Sequence, residues 1–472
     1  MLRWLSGGVD RLTPEAGEYI FTSAEGESKN LFWGVHSMKR QSAIGFVLLA
    51  LGLGGSWLGA QGQKATVILA GRLFDGKSDR LLSNQLIVIQ GDRIAEVGPA
   101  GSITIPAGAQ EIDLRNATVL PGLIEGHNHM FKIGDHPGAG ADASVPLVIE
   151  PGTPFSAPYS TLLASVNARL DLESGFTTAR DLSSGGTADV DLRNAINEGI
   201  IPGPRMRVAT EGLRGSIAGP RYFHLVDSPY EGRKQVRIQL KNGADFIKIY
   251  AAGIRANPAL GYGAPTMTLE EEQAIVDEAH RQGVRVACTA HAGVAVRQSI
   301  EAGCDSLELV TDIDAESVRM VVEKGIFMTF GLTITKIQAK SQNFPMAELS
   351  KASFQRAVKA GVKIAFSVNA TGAHGKQAGP YHGEEAVEFA TMVEYGMTPL
   401  QAIRSATSVG AENIGWGDRV GSIEKGKFAD FVGVSGNPAI DVTELERVKF
   451  VMKGGQIVRN DFAGSGASLG RK

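Results

Sequence analysis

The sequence predicts an α/β protein: a (β/α)8 TIM barrel over residues 121–417, beside a small β-sandwich built from both chain ends, residues 64–120 and 418–460. Two observations carry this. From Gly122 to about Glu412 one unit recurs: a helical pattern, a glycine, a short apolar strand, then a polar or Gly/Pro-rich loop. The flanking segments instead hold short apolar runs broken by glycine turns, such as Val67-Ile68-Leu69-Ala70, Leu86-Ile87-Val88-Ile89 and Phe431-Val432-Gly433-Val434. A third observation places chemistry on this frame. The strand Leu123–His129 ends in His127-Asn128-His129, and imidazoles two residues apart on a strand share a face and can reach one ion.

Before the frame begins, residues 38–60 read as a signal peptide. Lys39-Arg40 precede the apolar run Ala43 to Gly55, and Leu58-Gly59-Ala60 offers a small residue before a cut. The run is short for a mature membrane helix. It places the protein in the periplasm or outside the cell, with translation starting at Met38; residues 1–37 show no periodicity and are otherwise an extension of uncertain nature. No cysteine lies near the cut, so no lipid anchor is expected.

Eight strands are expected in the barrel: Leu123–His129, Phe176–Asp181, Met206–Thr210, Asp245–Tyr250, Val284–Ala290, Asp305–Leu309, Ile326–Phe330 and Val362–Val368. Helices lie between most of them. Thr268-Leu269-Glu270-Glu271 is a capping box that opens one, and Gly283, Gly303, Gly325 and Gly361 end four. Long loops follow strands one, three, four and eight, on the face where a barrel carries function.

Lys+Arg of 47 against Asp+Glu of 50 gives no electrostatic reason to expect nucleic acid or an anionic membrane as partner. An exported protein could pair its two cysteines, Cys288 and Cys304, but two do not make a disulfide framework, and their apolar strand contexts favour small buried hydrophobes.

Several motifs together give a more specific reading. They are Leu120-Pro121-Gly122-Leu123-Ile124 before His-x-His, Gly175-Phe176-Thr177-Thr178-Ala179-Arg180-Asp181, Gly243-Ala244-Asp245-Phe246-Ile247-Lys248 and Gly426-Lys427-Phe428-Ala429-Asp430. In these the chain resembles the amidohydrolase superfamily, in the branch of imidazolonepropionase, prolidase-like dipeptidases and ochratoxinase-like amidases. The resemblance implies a two-metal centre that hydrolyses C–N bonds. Its ligands are the His-x-His pair, a carboxylated Lys, a His on each of strands five and six, and an Asp on strand eight that is also the general base.

His127 and His129 match the pair, and Lys248 matches the lysine, either carboxylated or as an amine paired to a carboxylate. The remaining positions depart from the pattern. Thr289 and Leu309 occupy the two histidine positions, and Asn369 replaces the Asp. Thr is a poor ligand, Leu is none, and Asn accepts no proton at neutral pH.

His291 could help His127 and His129 hold an ion. Glu308, of opposite parity to Leu309, reads as a poor substitute base. His382 and Tyr250 are expected in the substrate pocket. His136, His224 and His374 lie on loops, and His280 at a helix end reads as structural.

The expectation is an incomplete centre with one zinc-like divalent ion at most, or none. Such a protein is weakly active or a pseudoenzyme, binding a small amide-like molecule as a homo-oligomer or beside an intact homologue. The alternative is a mononuclear-metal hydrolase of amide or dipeptide-like bonds.

Overall fold

A computed structural model describes residues 64–131, 157–184, 186–218, 224–252, 263–339, 345–370 and 380–463. The expected extension and signal peptide lie outside these residues, as do His136, His374 and most of the first and eighth loops.

The first half contains β1 (Thr66–Leu73), β2 (Leu82–Gln90), β3 (Arg93–Pro99), β4 (Gln110–Pro121), β5 (Leu123–Asn128), α1 (Ala157–Glu173), β6 (Phe176–Asp181), α2 (Ala188–Asn197), β7 (Arg205–Val208), β8 (Leu213–Arg214), β9 (His224–Leu225), α3 (Pro229–Lys241) and β10 (Ile247–Ile249). Next come α4 (Leu269–Arg281), β11 (Val286–Thr289), α5 (Gly293–Ala302), β12 (Ser306–Glu308), α6 (Ala315–Lys324), β13 (Phe327–Met328), α7 (Leu332–Ala339) and α8 (Met346–Ala360). The chain finishes with α9 (Val387–Glu394), α10 (Pro399–Ser405), α11 (Ser408–Asn413), β14 (Phe431–Val434), β15 (Phe450–Lys453) and β16 (Gln456–Asn460). Among the described residues, no helix is long and apolar enough to cross a membrane.

The central strands run parallel in two sheets. One has the order β5-β6-β7, the other β13-β12-β11-β10-β8-β9. Helices alternate with them, and a large core of buried aliphatic and aromatic side chains lies between the strand and helix layers. The Thr268 capping box opens α4 as the sequence indicates, and α5, α6 and α8 end on left-handed Gly303, Gly325 and Gly361.

The expected eighth strand is reduced to one bridge, Met328 to Ile364. Its ladder donors are diverted: Phe366 N–H goes to the Ser405 carbonyl, and Val368 N–H goes to the Glu125 carboxyl at 3.1 Å. The segment still meets β5 where Gly126 N–H donates to Phe366 O at 2.9 Å.

Both chain ends share a seven-stranded sheet, order β16-β15-β14-β4-β1-β2-β3, with β14 antiparallel to β4. Ile68, Leu73, Val119, Phe431 and Phe450 are buried together on it. β4 passes almost directly into β5, so this sheet sets the starting position of the His-x-His strand. The joint explains two sequence motifs. Gly122 donates to Asp430 O at 2.9 Å, and a Cβ at Gly122 would collide with the Thr177 side chain. Asp430, ending the Gly-Lys-x-Ala-Asp run, accepts from Arg205 Nε at 2.9 Å, from Arg205 Nη2 at 3.2 Å and from Gly454 N at 2.6 Å.

The cysteine reading needs correction. Cys288 and Cys304 form a disulfide, with their Cα atoms 6.2 Å apart. Cys288 does face the helix layer, as strand parity requires, and Cys304 at the end of the α5 turn lies within bonding reach of it. Two apolar strand contexts do not reveal that distance in advance.

The Asp430 carboxylate is nearly buried, so removing it leaves the Arg205 guanidinium without its acid. Asp430→Ala is expected to cost about 3 kcal/mol, read as a lower urea midpoint. Asp430→Asn should recover part of that through the hydrogen bond from Gly454.

Candidate metal and ligand site

At the C-terminal ends of the central strands sits a polar network built around Glu308. Its side chain is fully buried and accepts four donors. Oε1 takes Arg180 Nη2 and the Ser306 hydroxyl; Oε2 takes His127 Nδ1 at 2.9 Å and the Thr329 hydroxyl at 2.7 Å. Burial alone would raise this carboxyl. The Arg180 guanidinium, the His127 ring and the Lys248 amine outweigh burial and hold it well below its ordinary value of 4.5. Arg180 is anchored in turn by Gly126 O at 2.7 Å. One carboxylate thus ties together β5, β6, β12 and the end of β13.

With Nδ1 committed to Glu308, His127 presents Nε2 as its second nitrogen. A carboxylate behind a histidine is the arrangement that orients a metal-binding ring. The His127 and His129 rings lie edge to face, centroids 5.2 Å apart and both buried.

A second buried network backs the pair. Asp171 accepts from Asn128 Nδ2 at 2.6 Å and meets His382 Nδ1 at 2.7 Å, and His382 Nε2 faces His129 O at 3.3 Å. Glu125 receives the His127 N–H at 2.9 Å. Burial raises Asp171 to about 6 and pushes Glu125 and Glu385 well above the usual carboxylate range. Both His382 nitrogens are thus turned toward protein acceptors beside the His-x-His strand.

On the opposite wall, Lys248 is fully buried and donates to the Thr289 hydroxyl. Its Nζ lies 4.7 Å from the Tyr250 ring centroid, and Tyr250 OH reaches Leu182 O at 3.3 Å. At the rim, His291 Nδ1 turns to the Leu309 carbonyl at 3.0 Å. Ser183, Thr210, His291, Leu309 and Asn369 all have positive φ, at 130°, 60°, 53°, 54° and 56°, and each follows a strand or strand segment. Strained non-glycine residues collected at strand ends mark a built site.

Among the described residues, two groups bring three potential metal donors within 4.8 Å: Asp171, His382 and Glu385, and Glu272 with the two cysteines. Neither includes His127 or His129.

Over residues 118–458 the sequence matches the amidohydrolase family. The chain belongs to that family. Ochratoxinase from Aspergillus niger is 29% identical over 449 residues, covering 84% of this chain and 87% of that protein. An imidazolonepropionase from Cutibacterium acnes is 26% identical over 369 residues, covering 75% and 84%. Among solved structures, a Xaa-Pro dipeptidase with methionine bound in its active site superposes with a TM-score of 0.74 at 33% identity, covering 84% of this chain and all of that one.

Within the amidohydrolase frame, the geometry unites His127 with Glu308 and Lys248 with Thr289, and sets Leu309, His291 and Asn369 at the rim. Two residues sequence reasoning undervalued are Arg180 and Glu308. Glu308 lies in the heart of the network, where its two oxygens accept four donors. The available signal was a charged residue inside each of two apolar strands, which burial permits only in pairs.

The folded Glu308 value lies below the unfolded one. Its stabilisation is therefore present above pH 4.5 and fades as pH falls toward the folded value. Glu308→Gln is expected to lose about 3 kcal/mol at neutral pH, with the gap from wild type narrowing in denaturation curves taken below pH 4.5. A gap that widens as pH falls would show that Glu308 is neutral in the folded protein.

Proposed function

We propose that this amidohydrolase-family protein carries a reduced centre: one divalent ion at most, on His127 and His129, in a pocket that binds a small amide-like molecule. Turnover of C–N bonds is weak or absent. The single observation that carries this reading is the Lys248–Thr289 hydrogen bond. At two positions where the family pattern places ligands of a second ion, this chain pairs a hydroxyl with the lysine and places a leucine. The residues do not fit a second metal, and no step is assigned to one. Asn369 supplies no base for a bound water.

A mononuclear hydrolase is the second reading, and the His127–Glu308 contact favours it. The pair His127 and His129 would hold the ion, which when bound supplies Lewis-acid polarisation of a carbonyl. Glu308 would keep the His127 ring in one tautomer and position. The two parallel sheets and the segment 362–368 would complete an eight-stranded barrel around this site, with the terminal sheet as a sandwich-like satellite. One structural neighbour is by its name a Xaa-Pro dipeptidase, so a dipeptide or N-acyl amino acid is the first class of ligand to test. A homo-oligomer, or a complex with an intact homologue, would fit a protein that retains the pocket without the chemistry.

Metal analysis after zinc supplementation is expected to give one ion per chain or fewer. Thr289→His, Leu309→His and Asn369→Asp together should raise the count toward two. Leu309→His alone should leave it unchanged. Two ions on the parent protein would contradict the reduced centre.

Export with cleavage after Ala60 belongs to the same proposal. N-terminal sequencing of protein from the native host should begin near Gln61; a chain retaining residues 38–60 in the cytoplasm would refute it.

A further inference from the structure

We propose that the Cys288–Cys304 disulfide is a thiol–disulfide exchange site, opened by a small anionic thiol from the cavity that Cys304 borders, with Glu272 passing a proton to the leaving sulfur. Three observations carry it.

The first is a buried carboxyl beside the two sulfurs. Glu272, in the first turn of α4, is fully buried, and its carboxyl lies within 4.8 Å of both sulfurs and 3.5 Å from Cys304 Sγ. It accepts from the Ser299 hydroxyl at 2.6 Å and from Gln298 Nε2 at 2.9 Å. Its neighbours from α5, from β11 and from the turn before β12 are thus Gln298, Ser299, Cys288 and Cys304, none of them charged. A buried carboxyl without a cation favours its protonated form. Burial raises Glu272 to about 7 against the two hydrogen bonds, so near neutral pH it both holds and releases a proton.

The second is access. A cavity of about 320 Å³ opens at the N-terminal ends of β11, β12 and β13, the end opposite the His-x-His pair. Cys304 borders it with His280, Arg285, Asp305, Lys324 and Phe327, whereas Cys288 does not. An incoming thiol therefore meets Cys304 first.

The third is charge. Asp305 is engaged by His280 Nε2 at 2.8 Å, and the Arg285 guanidinium rests on the Glu412 and Asn413 carbonyls, which bring no negative charge. Lys324 forms no ion pair among the described residues. The cavity thus has a cationic excess, which raises the local concentration of an anion.

The exchange balances in two steps. The thiolate attacks Cys304 Sγ, the S–S bond breaks, and its electron pair leaves on Cys288 Sγ, which takes the Glu272 proton. A second thiolate attacks the resulting mixed disulfide, releases Cys304 and departs in a symmetric disulfide. Two thiols are oxidised and one disulfide is reduced; the protons the thiols gave up return from solvent to Glu272 and Cys304. Opening the bond removes the covalent tie between β11 and the turn into β12, the strands that pair Thr289 with Glu308.

The test uses the full chain in native buffer without oxygen. 2-Mercaptoethanesulfonate, an anionic thiol, is compared with cysteamine, a cationic one, at equal thiolate concentration. Samples are quenched in denaturant with an alkylating reagent, and alkylated cysteines are counted by mass. In the parent the sulfonate is expected to open the bond about tenfold faster, and Lys324→Glu should abolish most of that preference. The rate per thiolate should fall as pH rises through about 7, where Glu272 loses its proton. Glu272→Gln should react more slowly, with a rate per thiolate that no longer depends on pH. Equal rates for the two thiols, a parent rate per thiolate independent of pH, or reduction only in the presence of urea would each overturn the proposal. Should Glu272→Gln not fold, the parent pH profile and the Lys324→Glu comparison decide.

Discussion

A buried carboxylate with four donors is the constraint on which this site depends. Glu308 accepts from a guanidinium, an imidazole and two hydroxyls contributed by four separate strand segments. A carboxylate in an apolar interior would ordinarily take up a proton. Here the surrounding cations and donors reverse that tendency, and the ionised group becomes a cross-brace between β5, β6, β12 and the end of β13. Its position fixes the orientation of His127. Through Arg180 it also fixes the Gly126 carbonyl, and so the course of the His-x-His strand.

The backbone at the strand ends collects several non-glycine residues at positive φ. Leu309 and Asn369 lie in the left-handed region, which asparagine tolerates and leucine does not favour. Ser183, Thr210 and His291 join them around the same rim. Strain of this kind persists only when the surroundings enforce it. The same strand ends carry the Lys248–Thr289 hydrogen bond.

Much of the α/β arrangement was legible in the sequence because it rests on local signals. Glycines that end α5, α6 and α8 and the capping box of α4 act within a few residues, and apolar runs mark strands directly. The eighth strand was overestimated because its donors are taken by Glu125 and Ser405, partners far away in the chain. The disulfide escaped for the same reason: a spatial approach of two apolar positions leaves no periodic trace. At the site, spacing indicated His127 and His129, and the family resemblance implied Lys248 and the substituted positions. Their partners were not readable, because a hydrogen bond from Lys248 to Thr289 or from His127 to Glu308 depends on the juxtaposition of strands. The contact of His382 with the buried Asp171 was likewise not readable from its motif.

The most direct test of this account is the protonation state of Glu308 itself. The 13C shift of its side-chain carboxyl, assigned by comparison with Glu308→Gln, can be followed as the folded protein is acidified. The account predicts an ionised carboxylate throughout the range in which ordinary glutamates titrate, with no inflection near 4.5. An inflection at or above that value would contradict it, since a neutral Glu308 could neither brace Arg180 nor set the His127 ring.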